Sequence, residues 1–180
     1  FMINKENEID VLKAGLRREL LEKRRSFQCS MSDAGALKTR VLLSLPLDLS
    51  LYCVSGYSPV SGEMLIMELL LALEKRGAVL SLPVINSKAS CMVFKKWHSY
   101  EPLRSGPHNV LQPHKDSEVV HPDIILSPLV AFDQYGNRLG MGGGFYDKYI
   151  CKEREKRKIL VYGIGYDFQE VKQVPCAFHD

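Results

Sequence analysis

The sequence predicts an α/β fold with a mostly parallel central sheet and a helical N-terminal arm. Three observations carry that prediction. Residues 51–55, 62–75 and 78–83 read as strand, helix and strand within about thirty residues, the spacing of a βαβ unit, whose strands run parallel by default. Three more short runs, 92–95, 123–127 and 159–163, are apolar and bounded by Pro, Gly or polar residues, as buried strands are. Ahead of them all, Ile9, Leu12, Leu16, Leu20 and Phe27 recur at helical intervals among Lys, Arg and Glu.

Taken in order, residues 9–27 form the first amphipathic helix. A second follows Ser32, whose hydroxyl can cap it, and runs through Leu42 to the break at Leu45 and Pro46. The strand at 51–55 ends at Gly56 and Pro59, and the helix at 62–75 stops at Gly77. Residues 103–119 carry Pro107, Pro113 and no period, so they read as a long loop and a candidate cover over a site. Residues 144–156 are helical. No repeat, low-complexity tract or linker divides the chain. The expectation is one domain over 1–180, with a helical arm at 1–45 and an α/β core at 46–180.

Composition narrows the classes of function. In 180 residues, 24 Lys+Arg against 21 Asp+Glu leave +3, a balance that does not advertise nucleic acid but suits an anionic small substrate. Five scattered cysteines without a C-x-x-C pair exclude a zinc knuckle and point to a reducing compartment. The five histidines form no H-E-x-x-H pattern. The longest apolar stretch, 65–73, contains Glu68 and is far shorter than the ~20 residues that cross a bilayer.

Chemistry concentrates between Asp133 and Asp147, where a turn and Arg138 precede a glycine cluster that opens a helix. Gly140, Gly142, Gly143 and Gly144 allow positive φ and let backbone N–H groups approach an anion beside a helix N-terminus. Arg138 would add a permanent cation, and Asp147 could hold Mg²⁺ or merely favour the helix dipole. The cluster matches neither the Walker pattern nor G-x-G-x-x-G, so by itself it reads equally as a phosphate site or a structural turn. Lys13 and Arg17, four apart on one side of the first helix, could grip a polyphosphate or form a solvated basic face.

Lys13-Ala-Gly-Leu-Arg17, Gly62-Glu63, the run Asn137-Arg-Leu-Gly140 through Tyr146-Asp147, and the closing Pro175 and His179-Asp180 together resemble the 5-formyltetrahydrofolate cyclo-ligase family over nearly the whole chain. The Arg-Leu-Gly-x-Gly-x-Gly-[Phe/Tyr]-Tyr-Asp core is specific to that family. The resemblance implies a three-layer α/β sandwich related to sugar-phosphate isomerase and CoA-transferase-like folds. It implies ATP- and Mg²⁺-dependent closure of 5-formyltetrahydrofolate to 5,10-methenyltetrahydrofolate, with release of ADP and phosphate, by way of a phosphorylated formyl oxygen. It also implies a cytoplasmic, monomeric enzyme whose partner is the folate, bare or polyglutamylated, with no nucleic acid and no membrane.

Carried over by motif, the ATP contacts fall on Lys13, Arg17, Arg138, Gly140, Met141, Gly142, Gly143, Gly144, Phe145 and Tyr146. Arg138 and Tyr146 are the implied catalytic residues, and the magnesium carboxylates are Asp147 and Asp180. Tyr57, Ser58 and Glu63 correspond to the substrate-contacting stretches, with Phe145 and Tyr146 as aromatic walls for the pterin. Glu63 also suits a helix N-terminus with no ligand, since acids are favourable there. Trp97 is a candidate for pterin contact or for the core, and Lys95 and Lys96 for solvent or a glutamate tail. The chain departs from some members at Met141, Gly143 and Phe145, where Arg, Lys and Tyr occur. Two other classes share these features: a non-catalytic folate- or nucleotide-binding relative, and a sugar-phosphate isomerase on the related fold.

Overall fold

A computed structural model of the chain describes residues 2–86 and 91–176. Helix α1 (Met2–Ser26) leads into α2 (Met31–Ser44). The cap of α2 is Ser30 rather than Ser32. Ser30 and Asp33 exchange hydrogen bonds, each side chain serving the other's backbone N–H at 3.1 and 2.9 Å, and this reciprocal box needs a three-residue spacing that Ser32 lacks. Leu16 and Leu20 of α1 pack inward as the periodicity predicts, whereas Leu12 is exposed.

Strand β1 (Cys53–Ser55), helix α3 (Met67–Lys75) and strand β2 (Val79–Asn86) form the βαβ unit, with β1 and β2 parallel. β2 runs three residues past Pro83. Pro83 lies beyond Ser81, the last residue paired with β1, where a missing donor is tolerated. Strand β3 (Cys91–Lys96) turns back antiparallel on β2. The 103–119 stretch is more ordered than its prolines suggest. It folds into a small hairpin of β4 (Arg104–Ser105) and β5 (Leu111–Gln112) around a 3₁₀ turn at Pro107–Asn109, followed by β6 (Val119–Val120).

The chain returns to the sheet centre with β7 (Ile124–Pro128), makes a hairpin of β8 (Ala131–Phe132) and β9 (Arg138–Leu139), and continues as α4 (Phe145–Arg154) and β10 (Leu160–Ile164). The six-stranded sheet runs β10-β7-β1-β2-β3-β6, with β3 the one strand against the common direction. Alternate side chains of β7 feed the two faces. Ile124 and Leu126 join α2 and α3, while Ile125 joins Phe94, Ile150 and the aromatic residues of α4. These are the three layers. Trp97 belongs to the first of them: it is buried, and its indole N–H donates to the Glu101 carbonyl at 3.0 Å, so it is a core residue and offers no ring to a pterin. No helix among the described residues is long and apolar enough to cross a membrane.

The β8–β9 hairpin, which presents Arg138, is organised by Asp133. This buried carboxylate accepts from the N–H groups of Tyr135 and Asn137, from the Asn137 side chain and from the Val174 N–H, at 2.9–3.1 Å. Burial pushes its pKa up, but these donors outweigh burial and hold it below the ordinary 3.8. A depressed carboxylate contributes stability that is present above the unfolded value and lost as pH falls through the folded one. Asp133→Asn therefore destabilises the protein at neutral pH, and the gap to wild type narrows below pH 3.8 as wild type protonates. Denaturant titrations across that range check this, and a gap independent of pH contradicts it.

Candidate active site

Strand order reverses between the parallel neighbours β1 and β7: from β1 the chain moves to β2 on one side, and β7 and β10 add on the other. In an open parallel sheet the crevice outside the carboxyl ends of such a strand pair is the usual ligand site. The segments leaving those ends carry the residues that the sequence singles out. After β1 come Tyr57, Ser58 and Glu63. After β7 come Leu129, the β8–β9 hairpin with Arg138, and the glycine turn.

Glu63 does not open a helix. α3 begins at Met67, because Gly62 has φ +77° and Glu63 closes a turn in which its Oε2 accepts from the Val60 N–H at 3.0 Å. A solvent-facing helix charge is thereby replaced by a carboxylate only 7% exposed. Burial raises its pKa, opposed by the Val60 N–H and by Arg24. Tyr57 is buried with its hydroxyl donating to the Met64 carbonyl at 2.9 Å, and Ser58 is half-buried beside it. Burial, with Glu63 nearby, pushes the Tyr146 hydroxyl far up. That hydroxyl and the one of Tyr166, near the Cys29 thiol, are buried without a hydrogen-bond partner among the described residues.

The glycine turn lies against α1. Arg17 donates from Nε to the Gly140 carbonyl at 2.9 Å and stacks within 4 Å of where a side chain on Gly142 would stand. Gly142 (φ +107°) and Gly144 (φ +64°) adopt conformations that L side chains avoid, and Gly144 caps α4 without any side-chain acceptor. The first N–H groups of α4 thus remain available to an anion. Arg138 donates to Asp147 at 2.6 Å and lies 6.0 Å from the Tyr146 ring centre. Lys13 sits one turn before Arg17 on α1, half-buried. Phe145 packs on the α4 side of the sheet with Tyr146 and Phe94, and Met141 is half exposed on the turn.

The residue that sequence reasoning missed is Arg24. Its side chain is 1% exposed, yet it joins three segments. Nε donates to the Ser61 carbonyl at 3.0 Å, Nη1 to the Leu129 carbonyl at 2.9 Å, and Nη2 reaches Met141 Sδ at 3.6 Å and Glu63 Oε1 at 3.7 Å. Burial lowers its pKa while Glu63 opposes that, and a guanidinium remains charged throughout. A signal was present: Arg17, Leu20 and Arg24 fall at i, i+3 and i+7, the inward stripe of a helix.

Comparison with known proteins identifies the family. The family model described as 5-formyltetrahydrofolate cyclo-ligase family matches residues 10–180. The chain belongs to that family. It is 31% identical to the 5-formyltetrahydrofolate cyclo-ligase of Escherichia coli K12 over 147 residues, covering 79% of this chain and 80% of that protein. The enzyme of the same name from Mycolicibacterium smegmatis is 32% identical over 178 residues, covering 93% and 89%. Among solved structures, the Aquifex aeolicus 5,10-methenyltetrahydrofolate synthetase superposes with a TM-score of 0.70 at 31% identity, over 92% of this chain and 84% of that one.

For a cyclo-ligase family member, the described residues bring together Arg17, Arg138, the glycine turn, Tyr146 and Asp147 on one side, and Tyr57, Ser58 and Glu63 on the other. Asp180 lies outside the described residues. Among those described, no cluster of three or more His, Cys, Asp or Glu side chains is placed to hold a metal. Asp147, 64% exposed at the mouth of the turn, is a single hard oxygen donor, which fits a magnesium ion arriving with phosphates, because Mg²⁺ takes one or two carboxylates and fills its other positions with water and phosphate oxygens. Lys95 donates to the Lys115 carbonyl, tying β3 to the segment before β6.

Gly62 admits no side chain. A Cβ would stand 2.5 Å from the Arg24 carbonyl oxygen at a φ of +77°. Gly62→Ala therefore costs about 1–2 kcal/mol for the left-handed backbone alone, and more for displacing α1. Denaturant titration measures it, and wild-type stability would contradict the turn described.

Proposed function

We propose that this chain closes 5-formyltetrahydrofolate to 5,10-methenyltetrahydrofolate at the expense of ATP, releasing ADP and phosphate, as one domain over 1–180. The observation that carries the reading is Arg24, whose one guanidinium reaches both Glu63 and Met141, at 3.7 and 3.6 Å. A buried carboxylate suited to a pterin and a turn suited to phosphates thus stand on either side of one guanidinium, which supports the proximity that phosphoryl transfer between two bound ligands requires. We read the protein as a cytoplasmic monomer that takes the folate with or without a polyglutamate tail.

The chemical difficulty is a poor leaving group, the formyl oxygen. Transfer of the terminal phosphoryl group from ATP to that oxygen expels ADP; the neighbouring folate nitrogen then attacks the formyl carbon, and the C–O bond breaks with phosphate as leaving group. No protein nucleophile is needed. Glu63 accepts hydrogen bonds from the amino-pyrimidine edge of the pterin, with Tyr57, Ser58 and Phe145 shaping its surroundings. Arg17 and Lys13 hold the outer phosphates from α1, while the amides from Gly140 through Tyr146 line the turn. Arg138 turns from Asp147 to the transferring phosphoryl group and balances the charge that develops there. The Tyr146 hydroxyl, which has no hydrogen-bond partner among the described residues, is read as a donor to the formyl oxygen. Asp147, with Asp180, would hold Mg²⁺, which when bound neutralises phosphate charge.

Arg138→Ala is expected to lower turnover by about 10²–10³, the usual loss for one transition-state donor, with folate affinity little changed. The absorbance of the methenyl product reads turnover and direct titration reads affinity; wild-type turnover would remove Arg138 from the step. Asp147→Ala should instead raise the Mg²⁺ concentration needed for half-maximal rate. An unaltered Mg²⁺ dependence in that variant contradicts the metal role.

A further inference from the structure

We propose that Arg24 is the positioning residue for folate: it holds the Glu63 carboxylate in place and so sets recognition of the pterin edge. The inference deepens the function proposed above and rests on it.

The geometry supplies the argument. Glu63 has two oxygens and, among the described residues, two partners that hydrogen-bond or pair with them. Val60 N–H fixes Oε2 from the chain side, and the guanidinium of Arg24 stands 3.7 Å from Oε1. The other groups that bear electrostatically on the pair are the hydroxyls of Tyr57, Tyr146 and Tyr166, and the Arg25 cation beside Arg24 on α1. None of those three hydroxyls supplies the balancing charge that a carboxylate 7% exposed needs. Arg24 cannot drift to another site, because Ser61 and Leu129 carbonyls hold two further edges of its fork. Its contacts to the nucleotide side are weaker: one long contact to a thioether, at Met141. The position of the guanidinium therefore bears on the folate carboxylate far more than on the phosphate turn.

Without that cation Glu63 becomes easier to protonate, and a protonated Glu63 loses one acceptor for the pterin N–H groups. Raising pH restores the carboxylate, so a loss caused this way shrinks in alkali. A merely structural loss does not.

The test compares wild type, Arg24→Gln, Arg24→Lys, Glu63→Gln and the Arg24→Gln/Glu63→Gln double variant in equilibrium titrations with 5-formyltetrahydrofolate and, separately, with ADP. Arg24→Gln is expected to weaken folate about tenfold or more at neutral pH while ADP changes by less than about twofold, with the folate loss shrinking as pH rises. Arg24→Lys keeps a cation and should retain most of the folate affinity. In the Glu63→Gln background, Arg24→Gln should weaken folate no further. Wild-type folate affinity in Arg24→Gln, equal losses for both ligands, or the same loss with and without Glu63 would overturn the proposal. Should Arg24→Gln fail to fold, Arg24→Lys decides: affinity close to wild type supports the role, and affinity as low as Glu63→Gln overturns it. Failure of wild type to bind 5-formyltetrahydrofolate at all refutes the function itself, an outcome separate from any effect of Arg24.

Discussion

One buried guanidinium constrains the crevice. Taking an arginine out of water is costly unless its donors are met and its charge is balanced. Arg24 meets that requirement by drawing in the Ser61 and Leu129 carbonyls and the Glu63 carboxylate, groups that lie 37, 105 and, by difference of 63 and 24, 39 residues away in sequence. The Leu129 carbonyl is shared with the buried side chain of Gln169, which also reaches the Val130 carbonyl. The loop after β1, the loop after β7 and the end of α1 therefore have one common anchor. The two walls of the crevice cannot part without stranding a charge.

The site holds two arginine–carboxylate pairs, and their depth gives them different uses. Arg138 and Asp147 meet at the surface, with Asp147 mostly solvated, where such a pair contributes about 0–1 kcal/mol. Either member can exchange its partner for a phosphate oxygen or a cation at little cost. Arg24 and Glu63 are enclosed, and exchange there would leave a buried charge unbalanced. The outer pair suits a step in which charge moves. The inner pair suits recognition, in which it must not.

Local pattern made much of this visible in the sequence. The βαβ unit, the run order of the strands, the helix after the glycines and the inward Leu16 and Leu20 follow from periodicity and turn residues, and the motif from Arg138 to Asp147 is recognisable as it stands. What escaped depends on contacts between distant segments. The true start of α3 turns on Gly62 meeting the Arg24 backbone, so no reading of 62–75 alone could reveal it. Trp97 stood open between pterin contact and the core, and only the fold, which buries its ring in the first core layer, decides for the core. Arg24 stands between Lys23 and Arg25, so composition gives no sign of its burial, and its place on the Arg17–Leu20 stripe gains meaning only once α1 packs on the loops after β1 and β7.

The first helix also acts as a gauge. Arg17 touches the glycine turn and Arg24 touches the carboxylate loop, seven residues apart on one straight element. Seven residues of α-helix return almost to the same face and advance about 10 Å. The spacing between the glycine turn and the Glu63 loop is thereby fixed by a count of residues rather than by loops. Inserting or removing one residue between them would turn one arginine by about 100° from its partner. Changes of length in this lineage should therefore accumulate outside that interval, in the connections the helix does not span.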